Sequence, residues 1–501
     1  MITVMDLTVL NLAVPRISAA LKPAGTQLLW IIDIYGFILA GALIPIGGLG
    51  DRIGRRTLLL VGGAAFAAAS ALAAFSTSAL MLIAARALLG LAGAALVPST
   101  LSLIPTLFED SVARTKAIGV WGASFAVGAA IGPLVGGALL EHFWWGSVFL
   151  VGVPIMALLL AVGPWLLPEF RDPNAGPPDL LSGLLSITAI VPVIYGLKQL
   201  AQDGLAAGWL PAASIVIGLG LAATFIRRQR HLADPMVDLT LFRDRAFNVS
   251  LVSNVLNVFV SFGSFILVSQ YLQLVLGLSP LQAGALSLPA SLLAIAGPML
   301  SPVLAQRLGM RSSLAGLLAI AAVGFAVQAL VGGPLAIVAV TVGWALWALG
   351  GSAAATLATN NIISSARPER AGAVSALAQT GGELGGALGI AVLGSLGAAI
   401  YRAMVVAAIP DDLSPELVAA ARDTLGGALG VTSQMADASV AASLVSSAQH
   451  GLTVAVQTTS AIGAVISIGT AVAVMICLAA PGGERREASP AACEPSVALS
   501  A

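Results

Sequence analysis

Fourteen stretches of mostly apolar residues, nearly all about 20 or more residues long, follow one another along this chain of 501 residues. They cover 1–20, 27–50, 57–77, 79–106, 116–140, 145–168, 179–201, 209–227, 246–276, 281–305, 312–332, 335–363, 372–400 and 454–480. A helix of about 20 residues crosses a hydrocarbon layer of about 30 Å. Membrane strands alternate polar and apolar residues, whereas these runs are continuous, so a barrel is excluded. Only 9% of the residues are charged and 58% are hydrophobic, with a mean hydropathy of +0.98. A soluble domain carries about 25% charged residues, and disordered chains are poor in apolar ones. A water-soluble enzyme and a disordered chain are therefore both ruled out, and an all-α polytopic membrane protein remains.

The net charge is +0 and no basic cluster is large enough for nucleic acid. Cys477 and Cys493 make no disulfide or metal framework. No G-x-x-x-x-G-K-[ST] loop is present, so drive by ATP from this chain is not expected. Arg16 follows only 15 residues into the first run, about 22 Å of helix. Helix 1 is thus expected to lack its first turns. A cleaved signal peptide would need a basic segment before the apolar run, and none is present.

Positive residues set the orientation. With the loop after the second span placed inside, 17 of the 23 Lys and Arg fall inside, five fall outside and Arg86 lies within a span. Both termini are then cytoplasmic. Residues 401–453 form the one long outside segment, with acids such as Asp411, Asp412, Glu416, Asp423 and Asp437. The plainer reading is an exposed linker with one or two short surface helices; the other is a lid near the exit mouth.

The chain repeats itself. Between spans 2 and 3 it reads Gly47-Gly-Leu-Gly-Asp51-Arg52-Ile-Gly54-Arg55-Arg56, and between spans 10 and 11 it reads Arg307-Leu-Gly309-Met-Arg311. Arg52, Gly54 and Arg56 recur as Arg307, Gly309 and Arg311, at the same loop of two halves. Duplicated halves mark transporters, with a substrate site near the midplane between them. The expected division is 1–168 as an N-terminal six-helix bundle and 179–227 as two inserted helices. Residues 246–480 form a C-terminal six-helix bundle that includes 401–453, and 481–501 form a cytoplasmic tail. Gly54 allows a tight turn, and Asp51 at a helix end can meet Arg or a neighbouring helix N-terminus.

The Asp51 loop resembles the signature of the major facilitator superfamily. Arg86-Ala-Leu-Leu-Gly90-Leu-Ala-Gly93 resembles that superfamily's fourth-helix motif. Gly128-Ala-Ala-Ile-Gly132-Pro133-Leu-Val-Gly136-Gly137 resembles the fifth-helix motif of its antiporters. Asp6 to Pro15, and Trp30-Ile-Ile-Asp33-Ile-Tyr35, resemble helices 1 and 2 of fourteen-helix drug:proton antiporters of the QacA/LfrA type. The resemblance covers nearly the whole chain and implies a major facilitator fold of two six-helix bundles plus two inserted helices.

Charges inside spans are functional candidates by default. They are Asp6, Asp33, Arg86 and Glu383, while His142, His231 and His450 fall in loops. A transported proton is therefore expected to ride on a carboxylate. Arg86 must be paired, with Asp6 or Asp33, either as a static pair or as one broken by protonation. The resemblance ties Asp6 to proton coupling or cation recognition and favours Asp33 as a cavity carboxylate over an interfacial one. Glu383 is either a protonation site of the second half or an acid bonded among glycines. The resembled exporter also carries acids where this chain has Ala294 and Gln379, which argues against export of divalent cations.

Gly128, Gly132 and Gly136 share one helix face, as do Gly381, Gly385 and Gly389. Both faces suit close packing, and Pro133 permits a kink that would serve as hinge and seal. Trp30, Tyr35 and Trp121 are the candidate cavity aromatics for a flat cation. The expected activity is proton-driven efflux of lipophilic, cationic drugs, antiseptics or dyes across a bacterial cytoplasmic membrane by alternating access. The protein is expected to work as a monomer, without cofactor or metal and not as an enzyme. The rivals are export of an endogenous antibiotic, siderophore or lipid, proton-coupled import, and a non-transporting membrane scaffold.

Overall fold

The structure is a computed structural model. It describes the backbone of residues 1–23, 25–171, 179–203, 208–232, 235–278, 280–366 and 371–409, then 414, 417–418, 421–422, 425–432, 435 and 437–478. The tail expected at 481–501 and the acids Asp411, Asp412, Glu416 and Asp423 lie outside these. Among the described residues there is no strand.

The first half is built from α1 (Ile2–Leu21), α2 (Gly25–Ile53), α3 (Arg55–Ala74), α4 (Ala79–Leu107), α5 (Ser111–His142), and the pair α6 (Ser147–Leu150) and α7 (Gly152–Leu166). An antiparallel hairpin follows, α8 (Leu180–Asp203) and α9 (Leu210–Gln229). Then come α10 (Arg245–Gln270), α11 (Pro280–Gln328), α12 (Ala336–Ser364), α13 (Ala371–Gly389), α14 (Ser395–Val405), the short α15 (Leu425–Thr432) and α16 (Ala438–Cys477). Ser78 and Asp110 cap α4 and α5 by accepting from the amides of Met81 and Ala113, which satisfies donors a helix start leaves open.

Among the described residues, ten helical stretches are long and apolar enough to cross a membrane by length and composition. One of them, within α11, is two passes, because Gly309 leaves helical geometry at φ 78° and folds the chain back. With α1, α5 and α8, of 20, 32 and 24 residues, the chain makes the fourteen passes that hydropathy led us to expect. Arg16 does not end α1. The helix continues through it to Leu21, and Arg16 Nη1 donates to the Phe143 carbonyl at 3.3 Å. Large apolar side chains such as Trp165, Leu80, Val216 and Ile476 stand exposed around the helices; in water they would be a liability, and in lipid they are the solvent-matched surface.

Leu10, Ile17, Tyr35, Leu43, Phe66, Leu82 and Phe149 share one core, drawn from α1–α7. Leu267, Tyr271, Val340, Trp344, Tyr401 and Val456 share another, drawn from the later helices. The α8–α9 hairpin lies along the seam between α2 and α13. Gly41 of α2 packs on Ile187 and Val191 of α8, and Phe37, Ala40, Ile194 and Ala387 form one cluster of α2, α8 and α13. The foot of the hairpin is clasped. Arg228 holds both Asp179 oxygens at 3.1 Å and the Ser182 hydroxyl at 3.1 Å.

The segment after α14 is not an exposed linker. Ala421, Leu425, Ala428 and Val431 are buried together with Leu444, Ala448, Val331 and Trp344, and the Tyr401 hydroxyl donates to the Ala421 carbonyl at 3.0 Å. It caps the second half. Helix α16, at 40 residues, is about 60 Å long, so roughly half of it stands beyond a bilayer core and carries this cap.

Candidate functional site

Arg86, in the first third of α4, is fully buried. Its Nη1 donates to Asp6 of α1, its Nε to the Ile31 carbonyl at 3.2 Å and its Nη2 to the Ile32 carbonyl at 3.5 Å. The guanidinium carbon lies 4.8 Å from the centre of the Tyr35 ring. The Tyr35 hydroxyl donates to the Thr3 carbonyl at 3.2 Å. A buried cation is costly unless every donor is met, and here one carboxylate, two carbonyls and a ring face meet it. Helices α2 and α4 come close enough because Gly90 has no side chain; a Cβ there would lie 2.5 Å from the Tyr35 carbonyl oxygen. Of the two acids that could pair with Arg86, it is Asp6 that does.

Asp33 lies on another face of α2, shared with Trp30 and Phe37 at helical spacing. It is half-buried. Trp30 stacks on Tyr195 of α8, with centroids 6.0 Å apart and planes at 5°, and meets Phe37 edge-on at 6.0 Å. Glu383 projects from the stripe of α13 that carries Gly372, Ala376 and Ala387. Ala376 meets Gly47, and Ala387 shares a cluster with Phe37, so this stripe faces α2. The Glu383 side chain itself is exposed. Asp6 and Glu383, one from each half, thus sit on helices that pack against α2.

The end carrying the arginine-rich loops, the basic end, is sealed. Asp51 is buried and accepts from the amides of Gly372 and Ala373, at the start of α13, at 3.0 Å each. It also accepts from Arg55 Nε at 3.1 Å. A helix N-terminus offers free N–H groups and partial positive charge to such an anion. Arg55 is buried, donates to the Ser102 carbonyl at 2.7 Å and covers the Phe170 ring at 4.7 Å. Gly54, at φ 109°, makes the turn between Asp51 and Arg55. Arg56 reaches the carbonyls of Pro164 and Leu167 and pairs with Glu169; Glu169 also takes bonds from the Thr57 amide and hydroxyl. Arg52 is half-buried at the helix end. Gly47 lies against Gly372 and Ala376, and Leu101, Ile104, Ile118, Ile363 and Ala371 close the same end with Trp121 against them.

Trp121 therefore belongs to the seal; its indole N–H donates to Thr100 at 3.1 Å and its ring meets Phe125 at 4.6 Å. Gly128 and Gly136 sit against Met1 and Val9 of α1. Gly132 is buried and Gly137 exposed. Pro133 lies within α5, with its side chain outside the described residues. Gly381, Gly385 and Gly389 pack on α10. The two glycine faces thus join helices within each half. Glu169 and Tyr195 were not singled out by sequence; the first sits in an unremarked loop, and the second is a lone aromatic in a hydrophobic helix.

The sequence profile of the Major Facilitator Superfamily matches residues 1–390. This chain belongs to the major facilitator superfamily. The multidrug efflux pump LfrA of Mycolicibacterium smegmatis is 42% identical over 470 residues, 94% of this chain and 92% of the relative. The methyl viologen resistance protein SmvA of Salmonella typhimurium is 37% identical, covering 86% of each chain. The tetracenomycin C resistance and export protein of Streptomyces glaucescens is 32% identical, covering 79% of this chain and 73% of its own. The solved structure of the human organic anion transporter MFSD10 superimposes with a TM-score of 0.58 at 14% identity, covering 93% of this chain and 96% of that one, and so supports the fold. The superfamily and these relatives make the chain a membrane transporter of the drug-efflux kind.

Proposed function

We propose that the protein exports lipophilic organic cations from a bacterial cytoplasm in exchange for protons, as a monomer with both termini inside. The observation that carries this is the meeting of Asp6, Arg86 and Tyr35 in one half, with Glu383 of the other half on the stripe of α13 that faces α2. Carboxylates within the spans are the groups able to exchange a proton for a cation. With the basic end placed inside, the seal made by Asp51 and α13 closes the cytoplasmic side. The state described is then the one from which substrate leaves and protons enter. Protonation of Asp33 or Glu383 weakens the hold on a cation, and loss of the proton inside restores it. The printed name of one relative supports the aromatic class of substrate, since methyl viologen is a flat aromatic dication, although Ala294 and Gln379 favour singly charged compounds for this chain.

The test is ethidium transport by inverted vesicles, with and without a proton ionophore. Energised uptake that collapses with the ionophore is expected, and Asp33→Asn should abolish it. Uptake unaffected by the ionophore would sink proton coupling, and unchanged uptake in the variant would remove Asp33 from the mechanism. The tetracenomycin relative favours a second reading, export of an antibiotic. Competition of uncharged polyketides with ethidium would reveal it.

A further inference from the structure

The two inserted helices set this architecture apart from a plain pair of six-helix bundles, and the cation-export reading gives them no task. Yet α8 is not a passive spacer. It lies across the seam between the halves, touching α2 through Val191 and Ile187 and sharing a cluster with Phe37, Leu384 and Ala387. At that junction three aromatic rings gather. Trp30 and Tyr195 stack in parallel at 6.0 Å, and Phe37 stands edge-on to Trp30 at 6.0 Å. The indole remains 37% exposed although its ring already covers Tyr195.

Charge is present on both sides. Asp33 follows Trp30 by three residues and precedes Phe37 by four, so it shares their face of α2. Glu383 immediately precedes Leu384 of the cluster and projects from the α2-facing stripe of α13. Aromatic faces carry negative potential and attract cations, Trp most strongly. Rings from two helices with a carboxylate one turn away fit a flat organic cation better than a neutral or anionic compound.

We propose that Tyr195 of the inserted hairpin is a specificity-determining residue: with Trp30, which the buried Phe37 backs from the core, it forms an aromatic site that holds planar organic cations beside Asp33 at the seam of α2, α8 and α13. The inserted pair then takes part in recognition. This rests on the cation-export reading. An alternative role for the same rings is packing at the membrane interface, and the two differ in what a ring-for-alkyl exchange does to substrate affinity.

The experiment measures ethidium transport against concentration in vesicles bearing the full chain, together with ethidium binding to the purified protein by fluorescence polarisation. Tyr195→Leu keeps an apolar side chain and removes the ring. It should raise KM and the dissociation constant Kd about fivefold. Tyr195→Phe should hold both near the wild-type values, and Trp30→Leu should raise them as Tyr195→Leu does. An unchanged KM and Kd in Tyr195→Leu overturns the proposal, as does Tyr195→Phe behaving like Tyr195→Leu. Should Tyr195→Leu not fold, Trp30→Leu compared with Trp30→Phe decides by the same criterion. Wild-type ethidium uptake that ignores the proton ionophore takes down the export reading and this inference together. Proton-driven uptake lost in Asp33→Asn but untouched in Tyr195→Leu takes down this inference alone.

Discussion

Arg86 ties three helices through one guanidinium, and removing it strands its partners. In Arg86→Leu the Asp6 carboxylate and two carbonyls remain buried without their donor. We expect a loss of about 3–5 kcal/mol, read as a lowered thermal unfolding midpoint of the detergent-solubilised protein. Asp6→Asn combined with Arg86→Leu should recover part of that loss, because no unpaired charge is left behind. Equal stability of Arg86→Leu and wild type would show that the pair contributes nothing. A lone cation in an apolar run was visible from the chain, because the cost of burying it demands a partner. Which of Asp6 and Asp33 serves was not visible. Sequence spacing fixes faces within one helix, whereas the register between α1, α2 and α4 depends on contacts such as Gly90 on the Tyr35 carbonyl. Tyr195 was hidden for the same reason, since its partner Trp30 lies on another helix.

Turns and clasps decide how the helices are joined. Gly54 and Gly309, matched by the internal repeat, both take positive φ, 109° and 78°. A side chain in the left-handed region costs about 1–2 kcal/mol. Gly54→Ala also drives a Cβ toward the Glu169 carboxylate, so it should lower the unfolding midpoint more than Gly309→Ala, around which space is open. The hairpin clasp gives a pH prediction. Burial pushes the Asp179 carboxyl up, but the Ser182 hydroxyl and amide and the Arg228 guanidinium outweigh it and hold it below its usual value of 3.8. Its contribution is therefore fully present above that value and fades as pH falls through the lowered one. Protection of the α8 and α9 amides, taken against the intrinsic exchange rate at each pH, should fall below about pH 4 in the wild type. Asp179→Asn should show the lower protection already at pH 7, and a variant matching the wild type at both pH values would refute the clasp. The repeat was readable because glycine is the residue such a turn requires. Glu169 was not, because nothing in a loop acid reveals that Thr57 and Arg56 will fold back onto it.

At the scale of the whole molecule, the halves meet at the basic end through one acid and two amides, with apolar residues around them. Asp51→Asn weakens that latch. In a background with Cys477 and Cys493 replaced by Ala, a reporter Ile363→Cys, at a position now 3% exposed, should react several times faster with a thiol reagent once Asp51→Asn is added. Unchanged reactivity would show that the apolar seal suffices alone. The fourteen passes were legible as hydropathy, and a place for Asp51 against a helix start followed from its position at a helix end. The cap within 401–453 was read only as the second alternative, a lid, behind an exposed linker, although Ala421, Leu425, Ala428 and Val431 are buried together; runs that short carry no membrane signal. Helix α13 runs unbroken from Ala371 to Gly389, with the amides that grip Asp51 at its foot and Glu383 about 16 Å above them. It is a single pushrod. The carboxyl part-way up and the bolt below ride on one element, so neither end of it can shift independently by bending at a break in the helix.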